Sequence, residues 1–204
     1  MWTARTKIGW SLLLTGAVLM ALTSARYYSF DPDVYFQREV YEDKTLGLMI
    51  HITAMMFAVL AGPFQFLRSL RERYFRFHRV LGRVYIAGAI IGALSGLYLA
   101  PSTASGAVSD AGFALLGLGV LLTTTVAFER IRGGNVQSHR EWMTRSYALI
   151  FGAVMLRVYL LPLQGVVGDY VGHAILPGPA GSRTSSPRSG SSGPGCAHCP
   201  KPRG

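Results

Sequence analysis

The sequence predicts an all-α protein, a multi-pass transmembrane helical bundle of about five spans arranged as two parallel helical hairpins. Three observations carry this. Half of the 204 residues are hydrophobic and only 15% are charged, which is too apolar for a soluble domain of this size. The apolar residues are gathered into long runs, most of them close to the ~20 residues a helix needs to cross the hydrocarbon core. Arginines crowd into every second connection between those runs, the asymmetry that orients membrane helices.

The runs occupy residues 8–24, 46–67, 84–100, 111–128 and 143–163. Helix is the assignment for each, because unpaired backbone groups are too costly in hydrocarbon. The first run is preceded by Arg5 and Lys7 and followed by "TSA" ending at Ala25, features shared by a secretory signal and an uncleaved anchor. The uncleaved anchor is the expectation. The chain thus divides into an N-terminal anchor and outer loop (1–45), a four-helix membrane bundle (46–163), an outer segment reading as the remnant of a sixth span (164–176), and a low-complexity tail (177–204). In that tail Gly, Pro and Ser make up 18 of 28 residues, with no Leu, Ile, Val or aromatic. Such a composition cannot bury a core and predicts disorder. The abrupt change after "HAIL" (173–176) reads as a lost ending, such as a frameshift in GC-rich DNA leaves; a genuine disordered tail is the alternative.

Segment 68–83 holds six Arg and one Glu, and segment 129–145 holds four Arg and two acids. Segment 25–45 holds three basic and five acidic residues, and 101–110 only Asp110. Two spans separate the Arg-rich segments, so both lie on one side with the N-terminus. The positive-inside rule makes that side cytoplasmic and the membrane the inner one. The net charge of +10 is accordingly read as orientation and contact with anionic lipid, with no nucleic acid as partner.

The two Arg-rich connections end in a related signature, "FHRVLGRVY" at 77–85 and "SHREWMTRSY" at 138–147. Each stands at the inner mouth of an outward-running span, which suggests a parallel repeat of two hairpins. The plainer reading makes Arg79, Arg83, Arg140 and Arg145 ligands of lipid headgroups. Tyr85, Tyr147 and Trp142 then sit in the headgroup layer. The sharper reading pairs His78 and His139 as axial ligands of a b-type haem, with His51 a further candidate for cofactor binding.

His51 falls about five residues inside the second span, and Arg157 at a similar depth in the fifth. Ionisable residues inside a membrane are costly and invite a functional reading. Together with Tyr98 and Tyr159 they suggest a polar pocket opening outward; the alternative has Arg157 snorkel and His51 bond a neighbouring helix. Gly88, Gly92 and Gly96 recur every fourth residue and predict a close helix approach. No catalytic residue and no metal site is assigned. Met49, Met55 and Met56 read as packing. "CAHC" at 196–199 lacks a second ligand pair.

The blocks "HITAMMFAVLAGPFQFL", "RFHRVLGRVYIAGAIIGALSGLYLA" and "TTTVAFERIRGGNVQSHREWMTRSYALIFGAVMLRVYL" resemble the bacterial predicted-membrane-protein family catalogued as domain of unknown function 2306, over roughly residues 46–161. That family implies a multi-pass membrane protein and supplies no activity. Its pattern continues into another apolar, Trp-containing segment, from which this chain departs at about residue 176. The leading expectation is a non-enzymatic membrane component or accessory subunit, with a membrane-protein partner or further copies of itself. The alternatives are a b-type haem electron-transfer protein and a small transporter or lipid-binding protein.

Overall fold

A computed structural model describes residues 4–29, 38–102 and 107–167, with side chains over 7–29, 43–101 and 107–159. These residues are all-α, with no strand among them. Helix α1 covers Ala4–Ala25, α2 Arg38–Gln65, α3 Arg68–Arg73, α4 Phe75–Leu99, α5 Ala107–Arg132 and α6 Val136–Val167. Four segments are long and apolar enough to cross a membrane: Lys7–Ser29, Asp43–Gln65, Phe75–Leu99 and Ala107–Arg132. Helix α6, with 32 residues, is the longest and packs along α5; at helical rise it extends roughly 48 Å.

Local chemistry sets the turns. At the α5–α6 turn Gly134 adopts φ +78°, a left-handed conformation that glycine enters without a steric penalty. The amide of Asn135 bonds Arg130 O and that of Gly134 bonds Ile131 O. This is a Schellman closure, and it satisfies carbonyls that the helix end leaves over. Asn135 then caps the next helix, its Oδ1 accepting the Ser138 amide at 3.0 Å. Helix α2 bends at Lys44, whose backbone is non-helical. Near its other end stands Pro63, which has no N–H to donate to Val59 O four residues back. The Tyr147 hydroxyl donates to that same carbonyl, at 3.3 Å.

The helices pair as two hairpins, α2 with α4 and α5 with α6, joined through α4 and α5. Both α2 and α5 run toward the Arg-rich end, so the hairpins are parallel. The α2–α4 contact is the most extensive, and the glycine stripe explains it. A Cβ on Gly88 would stand 2.7 Å from Ala54 O, one on Gly92 would meet Met55, and one on Gly96 would meet the His51 ring. The backbones can approach only because those Cβ atoms are missing. Ala17, Ala58, Ala89, Ala93 and Ala127 continue the small-residue core. Helix α1 joins the bundle against α2 and α6. Its Trp10 Nε1 donates to Pro63 O at 3.0 Å, and Gly16 faces the Phe151 ring.

Two expectations are corrected here. Helix α4 begins at Phe75 and α6 at Val136, well before the apolar runs that predicted them, so His78 and His139 lie in the first turns of helices. Hydropathy marks only the lipid-embedded part, and the helix continues into the polar layer because its backbone bonds do. Tyr85 and Tyr147 do not face lipid headgroups from the bundle surface: they are 0% and 3% exposed. Each rotates inward on its helix, and neighbouring hydroxyl and carbonyl groups satisfy its phenol.

Candidate functional site

The polar interior begins with the paired tyrosines. Their rings lie 6.2 Å apart between α4 and α6. Tyr85 OH is 2.8 Å from Ser146 Oγ, and Ser146 Oγ is 2.7 Å from Thr124 Oγ1. Three helices are therefore tied by one chain of hydroxyls, each with a partner, as burial requires. Tyr147 extends the cluster through Val59 O and through ring contacts with Phe66 and Phe151.

Directly above it, at the Arg-rich end, is a cavity of about 210 Å³. Gly62, Gln65 and Phe66 from the end of α2 form one side. Arg71 of α3 and Arg140 of α6 stand opposite, and Met143, Thr144, Tyr85 and Tyr147 complete it. Burial, and then the neighbouring charge of Arg140, weaken the hold of Arg71 on its proton, an effect that Glu72 partly offsets. The Gln65 Nε2 is buried with no hydrogen-bond partner, and so is His78 Nδ1.

The predicted site residues are distributed as follows. His78 and His139 are close enough for their charges to interact, with Arg71 and Arg140 also in range of His78. His139 Nδ1 is 2.8 Å from Ala127 O, where it must donate, so the turn fixes its tautomer. Arg79, Arg83, Arg140 and Arg145 are all exposed. Arg79 lies over the Phe75 ring at 5.8 Å and Arg145 over Trp142 at 4.7 Å.

His51 is half-buried, and its Nδ1 donates to Gly92 O of α4 at 2.8 Å. Arg157 is exposed and turns to α1, with Nη1 3.9 Å from Met20 Sδ. The charge of Arg157 reaches His51, yet the two side chains have different partners. Tyr98 is exposed beneath Lys44, whose Nζ is 4.5 Å from its ring centroid, and Tyr159 is exposed elsewhere. An open groove between α2 and α4 includes Tyr98 and Lys44 among its walls, but not His51, Arg157 or Tyr159. Of the four residues, Tyr98 alone lines that groove. Cys196, His198 and Cys199 lie outside the described residues.

Sequence reasoning missed Gln65, Arg71, Thr124 and Ser146. Arg71 is one of six arginines in its segment, and nothing in the pattern marks which of them turns inward. Ser146 left a faint signal, a hydroxyl placed beside the tyrosine in an apolar run.

The family profile described as "Predicted membrane protein (DUF2306)" matches residues 48–176, more than half of the chain. The chain belongs to the DUF2306 family. No curated protein and no solved structure matches it. In this DUF2306 protein the matched region begins three residues before His51 and takes in α3–α6, both tyrosines and the cavity. It ends where the Gly/Pro/Ser-rich tail begins.

Proposed function

We propose that this chain is a non-enzymatic component of the cytoplasmic membrane, an accessory subunit or assembly factor whose N-terminus and Arg-rich end face the cytoplasm. The observation that carries the reading is the commitment of the interhelical hydroxyls, of His51 and of Trp10 to structural partners. The Tyr85–Ser146–Thr124 chain ties three helices, and His51, Tyr147 and Trp10 each reach a backbone carbonyl of another helix. A hydroxyl or imidazole held in this way holds helices together. The large apolar side chains Leu115, Leu118 and Leu122 point outward from α5, toward lipid or a partner helix. In a strain lacking the chain, the expected defect is in the amount or assembly of a membrane complex, read on native gels. Accumulation of a small-molecule substrate with every complex intact would overturn the reading.

Haem is the second reading, favoured by the proximity of His78 and His139 and by the carbonyl that orients the His139 ring. Ligating histidines commonly have such a carbonyl partner. The fit is poor, however. The cavity at the Arg-rich end is lined by neither histidine and, at about 210 Å³, is below the ~300–1,000 Å³ of ordinary ligand pockets. The visible spectrum of the purified protein discriminates: a Soret band at one haem per chain, lost in His78→Ala and His139→Ala, would establish the second reading.

A further inference from the structure

We infer that the cavity between α2, α3, α4 and α6 binds a phosphate group, with Arg71, Arg140 and the Gln65 amide as its donors. The inference goes beyond the accessory-subunit reading and does not depend on it.

The walls define the ligand by their hydrogen-bonding capacity. The floor is made by Tyr85 and Tyr147, whose hydroxyls are already engaged with Ser146 and with Val59 O. The Thr144 hydroxyl donates to Arg140 O at 2.9 Å. What remains for a ligand is two guanidinium groups and the Gln65 Nε2, a buried donor with no acceptor. No carboxylate lines the cavity. The nearest acid in the segment, Glu72, is held by Arg68 at 2.6 Å out in solvent. Two guanidinium groups and an unpartnered amide donor border one cavity that no carboxylate lines, a set that suits an oxyanion.

The electrostatics agree. Arg71 and Arg140 face one cavity closely enough that the charge of Arg140, after burial, makes that of Arg71 more costly. A doubly charged tetrahedral oxyanion relieves that repulsion and offers oxygens in the geometry that guanidinium forks match. Phosphate meets both requirements better than a carboxylate, which has fewer oxygens and one charge. The location also suits the ligand. The cavity opens at the Arg-rich end, where Phe66, Tyr74, Phe75 and Phe77 are exposed in the manner of residues at a membrane interface. The phosphate could be that of a lipid headgroup or free inorganic phosphate.

The test uses the full-length chain in neutral, phosphate-free detergent. Inorganic phosphate is titrated by calorimetry. In parallel, thermal melting is compared in phosphatidylcholine nanodiscs with and without phosphatidic acid. Saturable binding is expected in at least one arm. Arg71→Gln and Arg140→Gln should weaken it at least about tenfold, the loss expected for a charged hydrogen bond. Arg132→Gln, on the exposed end of α5 and outside the cavity, should leave it unchanged. Arg140→Lys, which keeps the charge but loses the fork, should fall between. Stabilisation by phosphatidic acid alone would identify a lipid headgroup; equal binding of inorganic phosphate would identify a soluble anion. If neither probe saturates, or if Arg132→Gln weakens binding as much as the cavity variants, the site is refuted. Without anion, Arg71→Gln should melt no lower than the parent protein, because it removes a repulsion. A lower melting temperature would mean that Arg71 is a structural strut, and would count against the proposal.

Discussion

The Tyr85 hydroxyl lies 2.8 Å from Ser146 Oγ, although the two residues are 61 positions apart and belong to different hairpins. Thr124 completes the chain from α5 at 2.7 Å. Ser146 accordingly holds two partners and Tyr85 one. Interhelical hydrogen bonds in membranes are worth about 0.6 kcal/mol on average. Tyr85→Phe should therefore cost roughly that amount, and Ser146→Ala about twice as much. Reversible unfolding in mixed micelles measures both. Equal costs for the two variants would mean that Thr124 and Ser146 do not form a shared chain.

Pro63 and Tyr147 should be energetically coupled. Proline leaves Val59 O without its helical donor, and the Tyr147 hydroxyl reaches that carbonyl at 3.3 Å. Pro63→Ala restores an N–H at the right place. In that background Tyr147→Phe should cost almost nothing, whereas in the parent protein it should cost about 0.6 kcal/mol. A double-mutant cycle provides the check; additive costs would show that the hydroxyl does not serve the proline's orphaned carbonyl.

The glycines should rank by what an added methyl would meet. At Gly62 it would run into the Tyr147 ring, and at Gly88 it would stand 2.7 Å from the backbone oxygen of Ala54. Backbone cannot step aside, so alanine at Gly88 should destabilise by ~1–3 kcal/mol, the usual cost of overpacking. At Gly92 the obstacle is the Met55 side chain, which is flexible and can repack, so the cost there should be smaller. Gly112 has nothing within 4 Å, and its alanine variant should melt like the parent. Thermal unfolding of the four variants tests the order Gly62 and Gly88, then Gly92, then Gly112.

Orientation is tested by labelling. With the Arg-rich end in the cytoplasm, cysteine at position 75 should be shielded from an impermeant reagent in intact cells. Cysteine at position 105 should react. Labelling at 75 from outside would invert the proposed orientation and with it the side from which the phosphate cavity is reached.

The sequence alone determined the membrane class, the number and order of the spans to within one, and the alternation that makes the two hairpins parallel. These follow from the length of apolar runs and the placement of charge, properties that a linear chain carries without folding. It also marked the Gly88–Gly92–Gly96 face, since a four-residue spacing lies on one side of any helix. Only the tertiary structure decided where each side chain turns. It turned Tyr85 and Tyr147 into the core instead of outward to lipid, because rotation about the helix axis carries them toward Ser146 and Val59. It gave His51 to Gly92 and Arg157 to Met20, because the helices beside them are α4 and α1. It also selected Arg71 from a run of arginines by folding α3 back over the end of α2. Residues so far apart in sequence share a cavity only after helix packing has fixed their depth, rotation and neighbours, and no local spacing encodes those three quantities.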